Sequence, residues 1–133
     1  GDYSFLVQKG SSHTTDQYSF TPSFTASSID DYETESNDSS STADSVPLNS
    51  PFKGRLASSS DKDWYKITSD KSGSLTVAFD APVDNYSYTY FRLALYDSSG
   101  NLNISKDIVA DTTITYNGLA AGSFYLSVTS STL

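Results

Sequence analysis

The sequence alternates most regularly between apolar and polar side chains in the stretch Gly122-Ser-Phe-Tyr-Leu-Ser-Val128. Phe124, Leu126 and Val128 are spaced two residues apart, and side chains at that spacing share one face of an extended chain. The polar positions between them fall on the opposite face. This stretch therefore predicts a β-strand that buries one face against a second layer.

The same period of two recurs along the chain, and no segment has the period of an amphipathic helix. Further strands are predicted at 3–7, 18–24, 65–67, 75–79, 91–95, 104–109 and 114–116. Turn residues at 98–101, 117–118 and 121–122 separate several of them. Short strands with frequent turns predict an all-β fold, an antiparallel β-sandwich of the jelly-roll kind.

Composition limits the classes of protein to which the chain can belong. The 133 residues include no cysteine, which excludes disulfides, thiol catalysis and cysteine-bound metals. The net charge of −8 argues against nucleic acid and anionic membranes as partners. No apolar run approaches the ~20 residues that a membrane-spanning helix needs. A soluble secreted protein, or one that binds cations, fits this composition.

One internal likeness bears on domain organisation. Gly1-Asp-Tyr-Ser-Phe-Leu-Val7 resembles the stretch 122–128, one domain length further on. Either two strands are alike by chance, or the chain comes from a tandem array. We predict that 1–24 is a hairpin resembling the last strands of a preceding repeat or a permuted closing hairpin, that 25–32 is a linker, and that 33–133 is the sandwich.

The segment Asp30-Asp-Tyr-Glu-Thr-Glu-Ser-Asn-Asp-Ser-Ser-Ser41 is acidic and rich in serine. In an extended chain Glu33, Glu35 and Asn37 share a face, and Asp38 follows. Calcium takes six to eight oxygen ligands, so a second loop must contribute, and Ser58-Ser-Ser-Asp-Lys-Asp63 is the obvious donor. The alternative is a solvated linker whose acids only keep it soluble.

A series of motifs resembles the bacterial pre-peptidase C-terminal (PPC) domain family. In chain order these are Glu35-Ser-Asn-Asp38, Phe52-Lys-Gly-Arg-Leu56, Asp61-Lys-Asp-Trp-Tyr65, Gly73-Ser-Leu-Thr-Val77, Leu93-Ala-Leu-Tyr-Asp97 and the stretch 122–128. The collagen-binding domains of clostridial collagenases are similar to this family. The resemblance implies a compact antiparallel β-sandwich outside the catalytic domain of a secreted bacterial protease or other hydrolase.

The resemblance also implies calcium as a cofactor. Residues matching the calcium-binding branch of the family are Glu33, Glu35, Asn37, Asp38 and Asp63, with Asp61 and the carbonyl of Gly54 as further candidates. The chain departs from the family at its last strand, whose best match is Asp16-Gln-Tyr-Ser-Phe-Thr21. We expect residues 17–24 to supply that strand, in a permuted arrangement or by exchange with a neighbouring copy, unless the edge stays open.

A tyrosine-rich face is the predicted ligand surface. With Phe91, Leu93 and Leu95 inward, the opposite face carries Tyr86, Tyr88, Tyr90, Arg92 and Tyr96. Exposed tyrosine and arginine suit stacking on sugar rings or gripping an extended peptide. The alternative is ordinary cross-strand packing of tyrosines. Trp64 is expected to pack at the end of the sandwich, and an exposed role is the alternative.

Catalytic motifs are absent from the sequence. The single histidine, His13, lies in a Ser/Thr-rich segment, and no metalloprotease, nucleophile-elbow or phosphate-loop motif occurs. We therefore expect a non-catalytic accessory domain of a secreted hydrolase, calcium-stabilised and binding an insoluble substrate such as collagen-like protein. The alternatives are a polysaccharide-binding module and a structural spacer or maturation domain without a ligand. Its other partner would be the catalytic domain of the parent enzyme.

Overall fold

The computed structural model describes residues 31–82 and 90–131, together with residues 4, 6, 8, 17 and 19–23 near the N-terminus. The described part contains strands and no helix, so the predicted all-β class is confirmed. No helix in it is therefore long and apolar enough to cross a bilayer. The strands are β1 (Asp44–Val46), β2 (Lys62–Ser69), β3 (Gly73–Phe79), β4 (Tyr90–Tyr96), β5 (Leu102–Ile108), β6 (Thr112–Leu119) and β7 (Gly122–Ser131).

The strands form two sheets that pack face to face. The larger sheet has the order β1-β2-β7-β4-β5, and the smaller sheet pairs β3 with β6. All pairs are antiparallel except β1 with β2. The strand that contains the alternating stretch 122–128 is β7, which lies at the centre of the larger sheet. Its neighbours β2 and β4 bury the same face as β7.

The core lies between the sheets and follows the alternation in the sequence. Its buried members from the larger sheet are Tyr65, Ile67, Leu93, Leu95, Ile108, Phe124, Leu126 and Val128, and Ile114 and Leu119 face them from β6. Removing this apolar surface from water is the main stabilising contribution, at about 25 cal/mol per Å². Phe52 also packs on the core, from the loop before β2, and its ring meets the Tyr65 ring edge-on at 5.6 Å.

Two local predictions were wrong. Asn117 and Gly118 were expected to form a turn, but they lie inside β6, where the pairing register with β3 shifts between Gly73 and Leu75. Gly118 has a φ of 76°, the left-handed conformation that glycine supplies at a β-bulge. The Ser, Thr, Asp and Pro content of 25–50 predicts a loop, but this segment contains β1, a strand too short for its sequence to show a period.

The N-terminal strand predictions have mixed outcomes. Residues 19–23, in the predicted strand 18–24, are exposed and form no strand. Pro22 has no N–H group to donate to a strand neighbour, which disfavours pairing there. Only positions 4 and 6 of the predicted strand 3–7 are described. The tyrosines at 86 and 88 lie outside the described residues. Asp31 and Tyr32, placed in the predicted linker, already contact the sandwich through Lys53.

Candidate metal centre

Backbone hydrogen bonds tie the segment 31–46 to β2 and to the loop before β2. The Glu33 N–H donates to the Lys53 carbonyl at 2.9 Å, and the Trp64 N–H donates to the Asn37 carbonyl at 2.9 Å. Further on, Asp44 pairs with Tyr65 at the start of β1. These contacts place the acidic segment next to the buried polar side chains of β2.

Three carboxylates converge where the segment meets β2. One oxygen each from Glu33, Glu35 and Asp63 lie within 4.8 Å of one another. Asp63 is 2% exposed and Glu33 is 8% exposed, whereas Glu35 is open to solvent. It is the single such group of metal-binding side chains within the residues that the structure describes. Like charges this close repel one another, so a cation or a proton is needed to hold them together.

Two buried oxygens beside this cluster have no hydrogen-bond partner among the described residues. They are Asn37 Oδ1 and Asp63 Oδ1. The Asn37 side chain is completely buried, and its Nδ2 donates to Asp44 Oδ2 at 3.3 Å. A buried oxygen without a partner costs roughly 1–3 kcal/mol, so proteins rarely leave one unmatched. Both oxygens are therefore acceptors that a ligand of positive charge could satisfy.

Tyr65 holds the Glu33 carboxylate in place from the other side. Its hydroxyl donates to Glu33 Oε2 at 2.6 Å and lies 3.4 Å from Asp63 Oδ2. The second Glu33 oxygen, Oε1, accepts the Arg55 N–H at 2.5 Å. From the sequence, Tyr65 is predicted only as part of a strand and of the motif at 61–65. Its spacing, two residues after Asp63 on one strand, would have placed both side chains on the same face.

Gly54 is essential to this arrangement because it has no side chain. A Cβ atom at this position would lie 2.1 Å from the Tyr65 hydroxyl oxygen and 2.5 Å from Glu33 Oε2. Its carbonyl stays a predicted ligand. The missing side chain also leaves room for the Tyr65–Glu33 hydrogen bond.

The electrostatics of the cluster follow from burial and crowding. Burial, and then the Glu33 charge, raise the pKa of Asp63 to about 7. Desolvation followed by the charges of Asp61 and Glu33 raises the pKa of Glu35. Burial and the hydrogen bond to Glu33 raise the pKa of Tyr65, which keeps its hydroxyl a donor. A bound cation would relieve the repulsion that causes these shifts.

Asp38 and Asp61, the other predicted ligands, lie near the cluster but outside the group of three. Asp38 is exposed, and its charge makes a small contribution to the raised Glu35 pKa. Asp61 accepts the backbone N–H groups of Ala57 and Lys62, so its carboxylate holds the loop before β2. Asp44, which no prediction included, accepts the Thr34 N–H at 2.7 Å and orients Asn37.

The predicted ligand face is described in part. Tyr86 and Tyr88 lie outside the described residues, as does the Tyr90 side chain. Arg92 and Tyr96 share the outer face of β4, where Arg92 is paired with Asp107 at 2.8 Å. Tyr96 stacks on Trp64, with ring centroids 5.0 Å apart and planes at 29°. Trp64 thus lies on the outer face of the larger sheet, near the start of β2.

Comparison with known proteins adds no identification. No family model matches the sequence, and no curated protein matches it significantly. The functional interpretation therefore depends on the geometry of the cluster and on the sequence motifs.

Proposed function

We propose that this chain is a calcium-stabilised β-sandwich that serves as a non-catalytic accessory domain of a secreted bacterial hydrolase. The observation that carries the proposal is the pair of buried, unpartnered oxygens of Asn37 and Asp63 beside the Glu33 and Glu35 carboxylates. A bound cation would remove the charge repulsion and satisfy both oxygens at once. The site joins the segment 31–46 to β2, so a bound cation would stabilise that junction.

The donor set favours calcium over other metals. The available ligands are carboxylate and amide oxygens, which hard cations prefer, and the chain has no cysteine. The ligands come from two chain segments and include an exposed carboxylate, Glu35. Such an arrangement suits the variable coordination of calcium better than the strict octahedron of magnesium. Asp38 and backbone carbonyls are within the same segments to complete the shell.

Metal binding is tested directly by titration with calcium and with terbium. Terbium emission excited through Trp64 and Tyr65 reports binding near these rings. Added calcium should displace the terbium and reduce this emission. Asp63→Asn should abolish sensitised emission, whereas the exposed Asp70→Asn, in the turn after β2, should leave it unchanged. Emission that is equal in all three proteins would contradict the site.

The accessory role is supported by the motif order that resembles the PPC family and by the lack of catalytic motifs in the sequence. The preferred ligand is insoluble collagen-like protein, and a polysaccharide is the second candidate because Tyr96 and Trp64 present aromatic surface on an outer sheet face. A spacer without any ligand is the remaining alternative.

Retention on insoluble collagen, chitin and cellulose separates these three roles. A binding module should be retained on one matrix and lose retention when Tyr86, Tyr88 and Tyr90 are replaced by alanine. Val109→Ala, an exposed apolar side chain outside the strands, is the control and should leave retention unchanged. Lack of retention on all three matrices would overturn the binding role and leave the spacer.

A further inference from the structure

The outer face of the larger sheet carries three aromatic side chains, Trp64, Tyr96 and Tyr125, which we call the aromatic platform. Trp64 on β2 stacks on Tyr96 on β4, and Tyr125 on β7 is the direct cross-strand neighbour of Tyr96. The strands β2 and β4 lie on either side of β7, about 10 Å apart, so the stacked pair crosses β7. Ser127 and Ala94, in the same row of the sheet as Trp64, are buried although they face outward. The rings are therefore packed on the sheet and on each other, which lowers the entropic cost of a contact with a ligand.

Two lysines flank the platform. Lys62 and Lys66 lie two residues before and two residues after Trp64 on β2, so all three side chains share the outer face. Neither lysine forms an ion pair with a residue that the structure describes, whereas Arg92 on the same face is paired with Asp107. Of the acidic side chains in the described strands of this sheet, only Asp107 lies on the outer face. This face is therefore positively charged in a chain whose net charge is −8.

The middle of this face can bind a ligand only through side chains. The backbone of β7 is hydrogen-bonded to β2 on one side and to β4 on the other. It has no free groups to pair with an extended peptide, which is how peptides bind at the edge of a sheet. The face offers aromatic rings, on which sugar rings pack, and ammonium groups, which pair with carboxylates. This combination fits a polymer of sugar rings that carries carboxylates.

We propose that the outer face of the larger sheet binds an acidic polysaccharide, with sugar rings on the aromatic platform and carboxylates on Lys62 and Lys66. The inference rests on the binding role proposed above and names the ligand class of its polysaccharide alternative. Salt screens the attraction between exposed charges, so binding should weaken as ionic strength rises. Asp63 and Tyr65 alternate with Trp64 on β2 and therefore face the opposite side. The ligand would thus bind away from the metal centre.

Trp64 is the single tryptophan of the chain, so its fluorescence reports on this face directly. The probe is carboxymethylcellulose, added in saturating calcium. Hydroxyethylcellulose is the matched control because it has the same glucan chain without carboxylates, and polyglutamate supplies carboxylates without sugar rings. Carboxymethylcellulose should change the emission at lower concentration than either control, and added salt should weaken its binding. Equal binding of hydroxyethylcellulose would overturn the role of charge, and equal binding of polyglutamate would overturn the assignment to a polysaccharide.

A pair of double variants locates the site. Lys62→Gln with Lys66→Gln removes both charges, keeps the rings, and should weaken binding of carboxymethylcellulose about tenfold. Lys71→Gln with Lys106→Gln removes two exposed lysines elsewhere and should bind as the wild type does. Equal affinity of the two double variants would overturn the proposal. Retention of the wild-type protein on collagen or chitin without binding to carboxymethylcellulose would overturn this assignment alone and leave the binding role in place.

Discussion

At the scale of single residues, Asp63 decides the chemistry of the centre. It lies on β2 with 2% of its surface exposed, and the Glu33 charge lies close by. A carboxylate in that setting is stable only when a proton or a cation neutralises it. The stability of the metal-free protein should therefore depend on pH differently from that of the metal-bound protein.

The metal-free protein should become less stable as pH rises. The pKa of Asp63 is raised from 3.8 to about 7, so between these values the folded state binds a proton that the unfolded state has released. Stability then falls as pH increases through this window and levels off above about pH 7. In chelator we expect the melting temperature at pH 8 to be several degrees below that at pH 5.

The same melts with Asp63→Asn provide the control, because the variant lacks the titrating group. Its melting temperature should change less between pH 5 and pH 8 than that of the wild type. In saturating calcium, the melting temperature of the wild-type protein should also fall less between pH 5 and pH 8, because the cation replaces the proton. A metal-free wild-type protein that is more stable at pH 8 than at pH 5 would disprove the assigned role of Asp63.

Replacing Gly54 by alanine tests the close packing beside Glu33. The added Cβ would collide with the Tyr65 hydroxyl and with Glu33 Oε2. Overpacking of this kind typically costs about 1–3 kcal/mol in the free energy of unfolding. Gly73→Ala is the matched control, because its Cβ would meet no atom within 4 Å. Urea denaturation should show a clear loss for Gly54→Ala and almost none for Gly73→Ala; equal effects would contradict the packing argument.

Tyr65→Phe removes the hydroxyl that orients Glu33 and keeps the ring in the core. Loss of a partner that positions a metal ligand typically lowers metal affinity about 10–100-fold. Calorimetric titration should therefore show weaker calcium binding, while the fold is retained. Tyr125→Phe, on the opposite face of β7, should bind calcium as the wild type does. Unchanged affinity in Tyr65→Phe would show that Tyr65 is only a core residue.

At the scale of secondary structure, the fold was predictable wherever burial imposes a period of two. The strands β2, β3, β4 and β7 each bury alternate side chains, so their sequences carry the signal. The strand β1 carries none, because three residues in a parallel pair with β2 have no room for a pattern. Asn117-Gly118 forms a bulge and not a turn, because the tertiary pairing with β3 continues past it.

Asp44 connects β1 to the acidic segment 31–46, so that each helps to hold the other in place. Its Oδ2 accepts hydrogen bonds from the Thr34 N–H and from Asn37 Nδ2. Asp44→Ala should therefore increase hydrogen exchange across 33–46 and leave β7 protected. Asp97→Ala, which removes a carboxylate that holds the β4–β5 turn, should affect only that turn. Equal exchange across 33–46 in Asp44→Ala and wild type would contradict this link.

At the scale of the whole molecule, the candidate site was predictable only in part. Regular spacing pointed to Glu33 and Glu35, whereas Asp63 was predicted from the need for a second donor loop and from the family resemblance. The structure brings these three carboxylates together. The contributions of Tyr65, Asp44 and the missing side chain of Gly54 arise from contacts between distant parts of the chain. Sequence spacing cannot reveal such contacts, because they depend on how the segment 31–46 lies against β2.

The central claim is that a cation stabilises the sandwich through this cluster, and thermal unfolding in calcium and in chelator tests it most directly. A ligand that binds only the folded state at about 100 times its Kd adds about 2.7 kcal/mol. We predict a higher melting temperature in calcium at pH 7.5, with the shift lost in Asp63→Asn and retained in Asp70→Asn. Identical melting of the wild-type protein in calcium and in chelator would contradict the account.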